Sequence, residues 1–78
     1  MSLTLNGTPH SLSEHATVRD AVAAVTGRPI DQDGRAADGG RLGVAVAVNE
    51  TLVPRSAWSG HALQSGDVVD VVTAVQGG

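Results

Sequence analysis

The chain has 78 residues and a net charge of −3, which bounds it to one small domain near the lower size limit for folding without disulfides, metals or partners. It has no cysteine and no apolar run approaching the roughly 18 residues that cross a bilayer, which excludes disulfide frameworks, thiol chemistry and a membrane span. Its five positive residues are scattered arginines and its one aromatic is a tryptophan, a pattern that argues against nucleic-acid binding. We therefore expect a cytoplasmic monomer that holds no metal or cofactor.

The first two elements are predicted to form a β-hairpin. Ser2–Leu5 alternates polar and apolar residues, as a half-buried strand does, and Asn6-Gly7 follows, the dipeptide that best tolerates the positive φ angles of a two-residue turn. A second strand is predicted over residues 8–13. Because Pro9 lacks a backbone donor, this strand should lie at a sheet edge.

A short helix comes next. Thr17 is followed three residues later by Asp20, a spacing close to a capping box, and Gly27 and Pro29 supply the stop. Between these signals the apolar residues recur at the spacing of one helical face. They are Val18, Ala21, Val22 and Val25.

Three more strands are predicted in the second half of the chain. Residues 28–43 are rich in Asp, Gly, Arg and Ala, and we expect an exposed, mobile loop there. Residues 43–48 read as a strand covered on at least one face, and residues 51–53 as a short strand ended by Pro54. Residues 55–64 are irregular or a single helical turn, and the last strand spans residues 68–75.

This order of elements predicts an α+β architecture, the β-grasp fold, with a mixed sheet of four to five strands wrapped around one helix. Since the first two strands pair as a hairpin and one helix crosses over, the last strand should lie beside the first, in the middle of the sheet. The domain then covers residues 1–75, and residues 76–78 form a flexible tail that ends in Gly-Gly.

The sequence resembles the ThiS family, the ubiquitin-like sulfur carriers of thiamine biosynthesis. The resemblance covers nearly the whole chain except residues 28–43, and Glu50 stands where the family commonly has Gly. The segments that carry it are Asn6-Gly7, Thr17-Val18-Arg19-Asp20, Val46-Ala47-Val48-Asn49, Val53-Pro54-Arg55, Trp58, Leu63, Gly66-Asp67 and Val75-Gln76-Gly77-Gly78.

The resemblance implies that the chain is a carrier and not an enzyme. The group that becomes adenylated and carries sulfur is then the carboxylate of Gly78, and Gly77 and Gln76 form the tail that partner enzymes recognise. It implies two partners, a ThiF-like adenylyltransferase that uses ATP and a ThiG-like thiazole synthase that takes the sulfur. A docking face for these partners is predicted at Val68, Val72 and Arg55.

Other candidate residues have structural interpretations. The three histidines lack metal-ligand spacing. Asp67 and Asp70 could form a carboxylate pair, but Asp67 suits a turn and Asp70 a solvent-facing strand position. Trp58 fits a packing role better than ligand stacking.

Two alternative functions stay open at this level. The small subunit of molybdopterin synthase resembles the same fold and also ends in Gly-Gly. The chain could also be a non-covalent β-grasp interaction module whose terminal glycines are incidental.

Overall fold

The computed structural model describes residues 1–35, 37 and 43–73, with the backbone alone described at Thr73. The elements follow the predicted order. They are β1 (Ser2–Leu5), β2 (Thr8–Ser11), α1 (Val18–Thr26), β3 (Val44–Val48), β4 (Thr51–Val53), a 3₁₀ helix (Arg55–Gly60) and β5 (Val68–Thr73). The predicted residues 74 and 75 of the last strand lie outside the described residues.

The described strands form one mixed sheet in the order β2-β1-β5-β3-β4. β1 pairs antiparallel with β2, β3 pairs antiparallel with β4, and β5 lies between the two hairpins, parallel to β1 and antiparallel to β3. The β-grasp prediction and the central position of the last strand are therefore confirmed. β2 lies at an edge, as Pro9 requires, although it ends at Ser11 and not at residue 13.

Local sequence signals set both ends of α1. The backbone N–H of Thr17 donates to the carboxylate of Asp20 at 2.8 Å, which satisfies a donor that a helix start leaves unpaired. At the other end Gly27 takes the left-handed conformation with φ of 70° and donates to the carbonyl of Ala23. No helix within the described part of the chain is long and apolar enough to cross a membrane.

The core lies between α1 and one face of the sheet. Alternate residues of β1, β3 and β5 point into it, and the apolar stripe of α1 covers them, with Val25 half-buried at its margin. The buried members from these elements are Leu3, Leu5, Val18, Ala21, Val22, Val46, Val48, Val69 and Val71.

Trp58 closes one end of this core. Its side chain is 1% exposed, and its indole N–H donates to the carbonyl of Val53 at 3.1 Å, so the ring is buried with its one polar group paired. The packing interpretation of Trp58 is confirmed.

The segment after α1 differs from the sequence prediction. Residues 28–43 were expected to be exposed, yet Ile30 is buried in the core, and its carbonyl accepts a hydrogen bond from Nε of Arg19 at 2.6 Å. A turn then forms around Asp31, whose carboxylate accepts from the backbone N–H groups of Asp33 and Arg35. A single large apolar residue and local hydrogen bonds thus dock residues 28–35 although their composition is polar, and residues 36 and 38–42 of the predicted loop lie outside the described part of the chain.

Gly34 shows how closely the docked segment fits against the 3₁₀ helix. It has a φ of +79°, and a Cβ built on it would lie 2.7 Å from the backbone oxygen of Arg55 and would also collide with the side chain of Arg55. The backbone of this segment approaches the 3₁₀ helix at a distance that only glycine allows.

Substitution of Gly34 by alanine tests this close approach. Gly34→Ala adds both the strain of a positive φ and a steric clash, so the free energy of unfolding should fall by about 2 to 4 kcal/mol in chemical denaturation. Gly27→Ala is the matched control, because Gly27 has a φ of +70° and open space around its Cβ position. It should lose only about 1 kcal/mol. Equal losses in the two variants would mean that the segment is not packed against Arg55.

Candidate functional site

The predicted reactive end of the chain, Gln76, Gly77 and Gly78, lies outside the described residues. The structure describes the strand that leads to it. β5 is the central strand, and its last described residue, Thr73, still pairs with Val44 of β3. The last described residue of the central strand is therefore five residues before Gly78.

The face of the sheet opposite α1 carries an apolar surface. Val68 is 44% exposed and Val72 is 63% exposed, and both lie on β5 with alternation that turns them away from the buried Val69. The predicted grouping of Val68 and Val72 on this face is what the structure shows.

Leu52 extends this surface and was missed in the sequence. It is 70% exposed, and it pairs with Ala47, which in turn pairs with Asp70 of β5. The exposure of Leu52 follows from the pairing of β4 with β3, because the sequence of a three-residue strand does not show which of its residues points outward. We call the exposed apolar surface the outer patch, and its members are Ala45, Ala47, Leu52, Val68 and Val72.

One charged residue lies within the outer patch. Asp70 is exposed on β5 between Val68 and Val72, and none of the described residues on this face of the sheet is basic. The patch therefore presents an apolar surface with a single negative charge near its centre.

Arg55, the third predicted docking residue, lies elsewhere. Its guanidinium stands over the ring of Trp58, 5.7 Å from the ring centroid, and its backbone and side chain flank Gly34. Trp58 belongs to the core on the α1 side of the sheet. The structure thus does not bring Arg55 together with Val68 and Val72, and its described contacts are with Trp58 and Gly34.

Two asparagines in the hairpin turns form hydrogen bonds with the backbone of β5. Asn6 and Asn49 both have a φ of 50°, the left-handed conformation that asparagine tolerates well. The Asn6 amide binds the backbone of Val71, with Val71 N–H to Oδ1 at 2.7 Å and Nδ2 to the Val71 carbonyl at 3.1 Å. The Asn49 amide accepts from the N–H of Val68 at 2.9 Å and donates to the carboxylate of Asp67 at 3.0 Å. The sequence predicted turns at Asn6-Gly7 and Asn49-Glu50, but not the contacts of the two asparagines with β5.

The two aspartates of the strand region have the structural roles expected of them. The carboxylate of Asp67 accepts from the side chain of Asn49 and from the backbone N–H of Gln64, which fixes the turn into β5. Asp70 is exposed on the strand itself. Within residues 1–35, 37 and 43–73, no group of His, Asp or Glu is arranged to hold a metal ion.

An open groove of about 350 Å³ lies at the start of β5, lined by residues that include Asn49, His61 and Asp67. The polar groups of Asn49 and Asp67 that face it are paired with each other and with neighbouring backbone. The hydrogen bonds of these two side chains therefore stabilise the turn, and the groove does not offer them to a ligand.

Comparison with known proteins relates both the sequence and the fold to the ThiS family. Residues 3–78 match the ThiS family. A stretch of 38 residues, 49% of this chain, is 37% identical to the sulfur carrier protein ThiS of Escherichia coli and spans 58% of that protein. The fold is similar over the full length of both chains to the crystal structure of the thiamine biosynthesis protein ThiS from Geobacter metallireducens, with a TM-score of 0.67 and 26% sequence identity.

Proposed function

The chain belongs to the ThiS family, and on this basis we propose that it is a sulfur carrier protein of thiamine biosynthesis. The observation that carries the proposal is that the family match runs to Gly78, so it includes the terminal Gly-Gly as well as the domain. The match favours this function over that of a molybdopterin-synthase subunit or of an interaction module. We place the carrier in the cytoplasm, since a chain without cysteine suits a reducing compartment.

The proposed chemistry takes place at the carboxylate of Gly78. A ThiF-like adenylyltransferase directs a carboxylate oxygen onto the α-phosphorus of ATP, which forms the acyl-adenylate and releases pyrophosphate. A nucleophile at the oxidation level of hydrosulfide then attacks the acyl carbon and displaces AMP, which leaves a thiocarboxylate on Gly78. A ThiG-like thiazole synthase takes the sulfur, and an oxygen atom from water replaces it on the acyl carbon, which restores the carboxylate. The carrier is thus a regenerated substrate, and it supplies no acid, base or metal to these steps.

Two terminal glycines suit this chemistry for a steric reason. A carboxylate is a poor electrophile until it is activated, and the activating site must enclose it and exclude water. Without Cβ atoms, Gly77 and Gly78 let the backbone enter a narrow channel and adopt angles that are closed to other residues.

The outer patch is the proposed docking surface for the adenylating enzyme. Val68 and Val72 lie on β5, the same strand that leads to Gly78, so a partner bound to the patch stands where the tail can reach it. The partner surface that fits is apolar, with one basic group opposite Asp70.

A first prediction concerns the position of the carboxylate. One alanine appended after Gly78 should leave the melting temperature nearly unchanged, because the tail is proposed to bury nothing against the domain. Sulfur loading should nevertheless be abolished, since the acyl carbon moves about 3.5 Å along the chain and belongs to a different residue. The assay is ATP-dependent adenylate formation by the cognate enzyme, followed by intact-mass detection of the thiocarboxylate. Loading at the wild-type level would show that Gly78 is not the reactive residue.

A second prediction concerns the width of the channel. Gly77→Val should lower the rate of adenylation by about two orders of magnitude, because a β-branched side chain restricts the backbone and widens the tail. Gly77→Ala, with a smaller side chain, should give an intermediate rate. Binding of both variants to the adenylating enzyme should stay close to that of the wild type, which calorimetry can measure. A channel that accepts valine at the wild-type rate is inconsistent with the proposal.

A third prediction concerns docking. Val72→Glu should weaken binding to the adenylating enzyme at least about tenfold, because the new carboxylate would be desolvated in an apolar interface. Its melting temperature should change little, since Val72 is 63% exposed. Thr8→Glu is the matched control, as it adds the same charge to an exposed residue of the edge strand β2. Equal affinity of the Val72→Glu variant and the wild type would exclude the outer patch as the docking surface.

A further inference from the structure

The backbone hydrogen bonds between β1 and β5 end at Asn6, and a side chain continues the pairing beyond that point. The N–H of Thr4 donates to the carbonyl of Asp67, and the N–H of Asn6 donates to the carbonyl of Val69, both at 2.9 Å. In a parallel ladder the next donor along β1 would bond to Val71. The chain turns away at Asn6, however, because the hairpin turn begins there.

The side chain of Asn6 occupies this next position. Its Nδ2 donates to the carbonyl of Val71 and its Oδ1 accepts from the N–H of Val71, so one primary amide satisfies both backbone groups as a strand would. These contacts join residues 65 positions apart. They hold β5 seven residues before Gly78, at the last point where the β1 side of the strand is bonded in the described structure.

We infer that Asn6 is a positioning residue for the C-terminal carboxylate, and that it acts by clamping the backbone of β5 at Val71. The part of this inference that concerns the carboxylate rests on the proposed function. A clamp on the β1 side complements the pairing of Val72 and Thr73 with β3 on the other side, so the end of β5 is held at both edges. Fixing both edges limits the directions in which the following residues can leave the strand, and a small loss of alignment at a reacting group has a large effect on rate.

The chain contains its own control for this inference. Asn49 has the same φ of 50°, occupies the first turn position of the β3–β4 hairpin, and binds β5 at Val68, at the opposite end of the strand. Replacement by glycine preserves the left-handed turn at either asparagine and removes only the amide. Asn6→Gly and Asn49→Gly are therefore matched in chemistry and differ in which end of β5 they release.

The experiment measures amide hydrogen exchange and adenylation kinetics on the full chain of both variants. Asn6→Gly should raise the exchange rate of the Val71 amide at least about tenfold, because its hydrogen-bond acceptor is gone. With the cognate adenylating enzyme it should lower kcat about fivefold and change KM by less than about twofold, since docking through the outer patch is retained. Asn49→Gly should leave kcat at the wild-type value even if it lowers the melting temperature by as much as Asn6→Gly does.

A second variant keeps the shape of the side chain. Asn6→Asp retains the tolerance for positive φ and an oxygen that accepts from Val71 N–H, but it places a carboxylate oxygen against the Val71 carbonyl. It should also lower kcat, which would tie the effect to the donated hydrogen bond and not to loss of side-chain volume.

Two results would overturn the inference. One is an unchanged Val71 exchange rate in Asn6→Gly, and the other is an equal fall in kcat for Asn6→Gly and Asn49→Gly, which would leave Asn6 with a general stabilising role. If the wild-type chain is not adenylated at all, the proposed function fails. The clamp is then decided by exchange at Val71 and by the backbone order parameter of Thr73, which should fall in Asn6→Gly alone.

Discussion

The parallel contact between β1 and β5 is the constraint on which the rest of this structure depends. The last strand of the chain lies between the two hairpins, so neither hairpin joins the sheet without it. Its register with β3 runs from Val44↔Thr73 to Val48↔Val69, whereas its register with β1 covers only Thr4↔Val68 and Leu5↔Val69. Closing the shorter pairing brings together residues from the two ends of the chain and loses loop entropy, which burial of Leu5 and Val69 offsets.

The period of two along β5 then separates the core residues from the proposed docking residues within one strand. Val69 and Val71 are buried, while Asp70 lies between them on the outer side. A slip of one residue would turn Asp70 into the core without a partner, at a desolvation cost that exceeds what any exposed valine would gain by burial. The charge inside the outer patch therefore also fixes the register of the strand that carries the patch.

How much the sequence predicts depends on the range of the interactions involved. The caps of α1 at Thr17, Asp20 and Gly27 act over a few residues, so their pattern was sufficient to place the helix, and the order of elements was sufficient to place β5. Burial of Ile30 could not be predicted, because it depends on contacts with other elements and on a hydrogen bond from Arg19 that composition does not reveal. The same limit applies to Asn6. Its turn function is local and was predicted, whereas its contact with Val71 spans the whole fold.

Placing the proposed reactive terminus after a central strand has a mechanical consequence. A partner that binds the outer patch contacts β5 directly, so the distance from the recognised surface to the carboxylate is set by one strand and the few residues after it. A free chain of five residues has a root-mean-square span of about 12 Å, and every further residue released from the sheet widens the volume over which its end is spread. Delivery of the carboxylate to a narrow site then depends on where the strand is last held on both edges. In the described structure that place is at Val71 and Val72, where Asn6 binds the backbone of Val71 on one edge and β3 pairs with Val72 on the other. A turn residue outside the outer patch is thereby linked to the chemistry proposed for the far end of the chain.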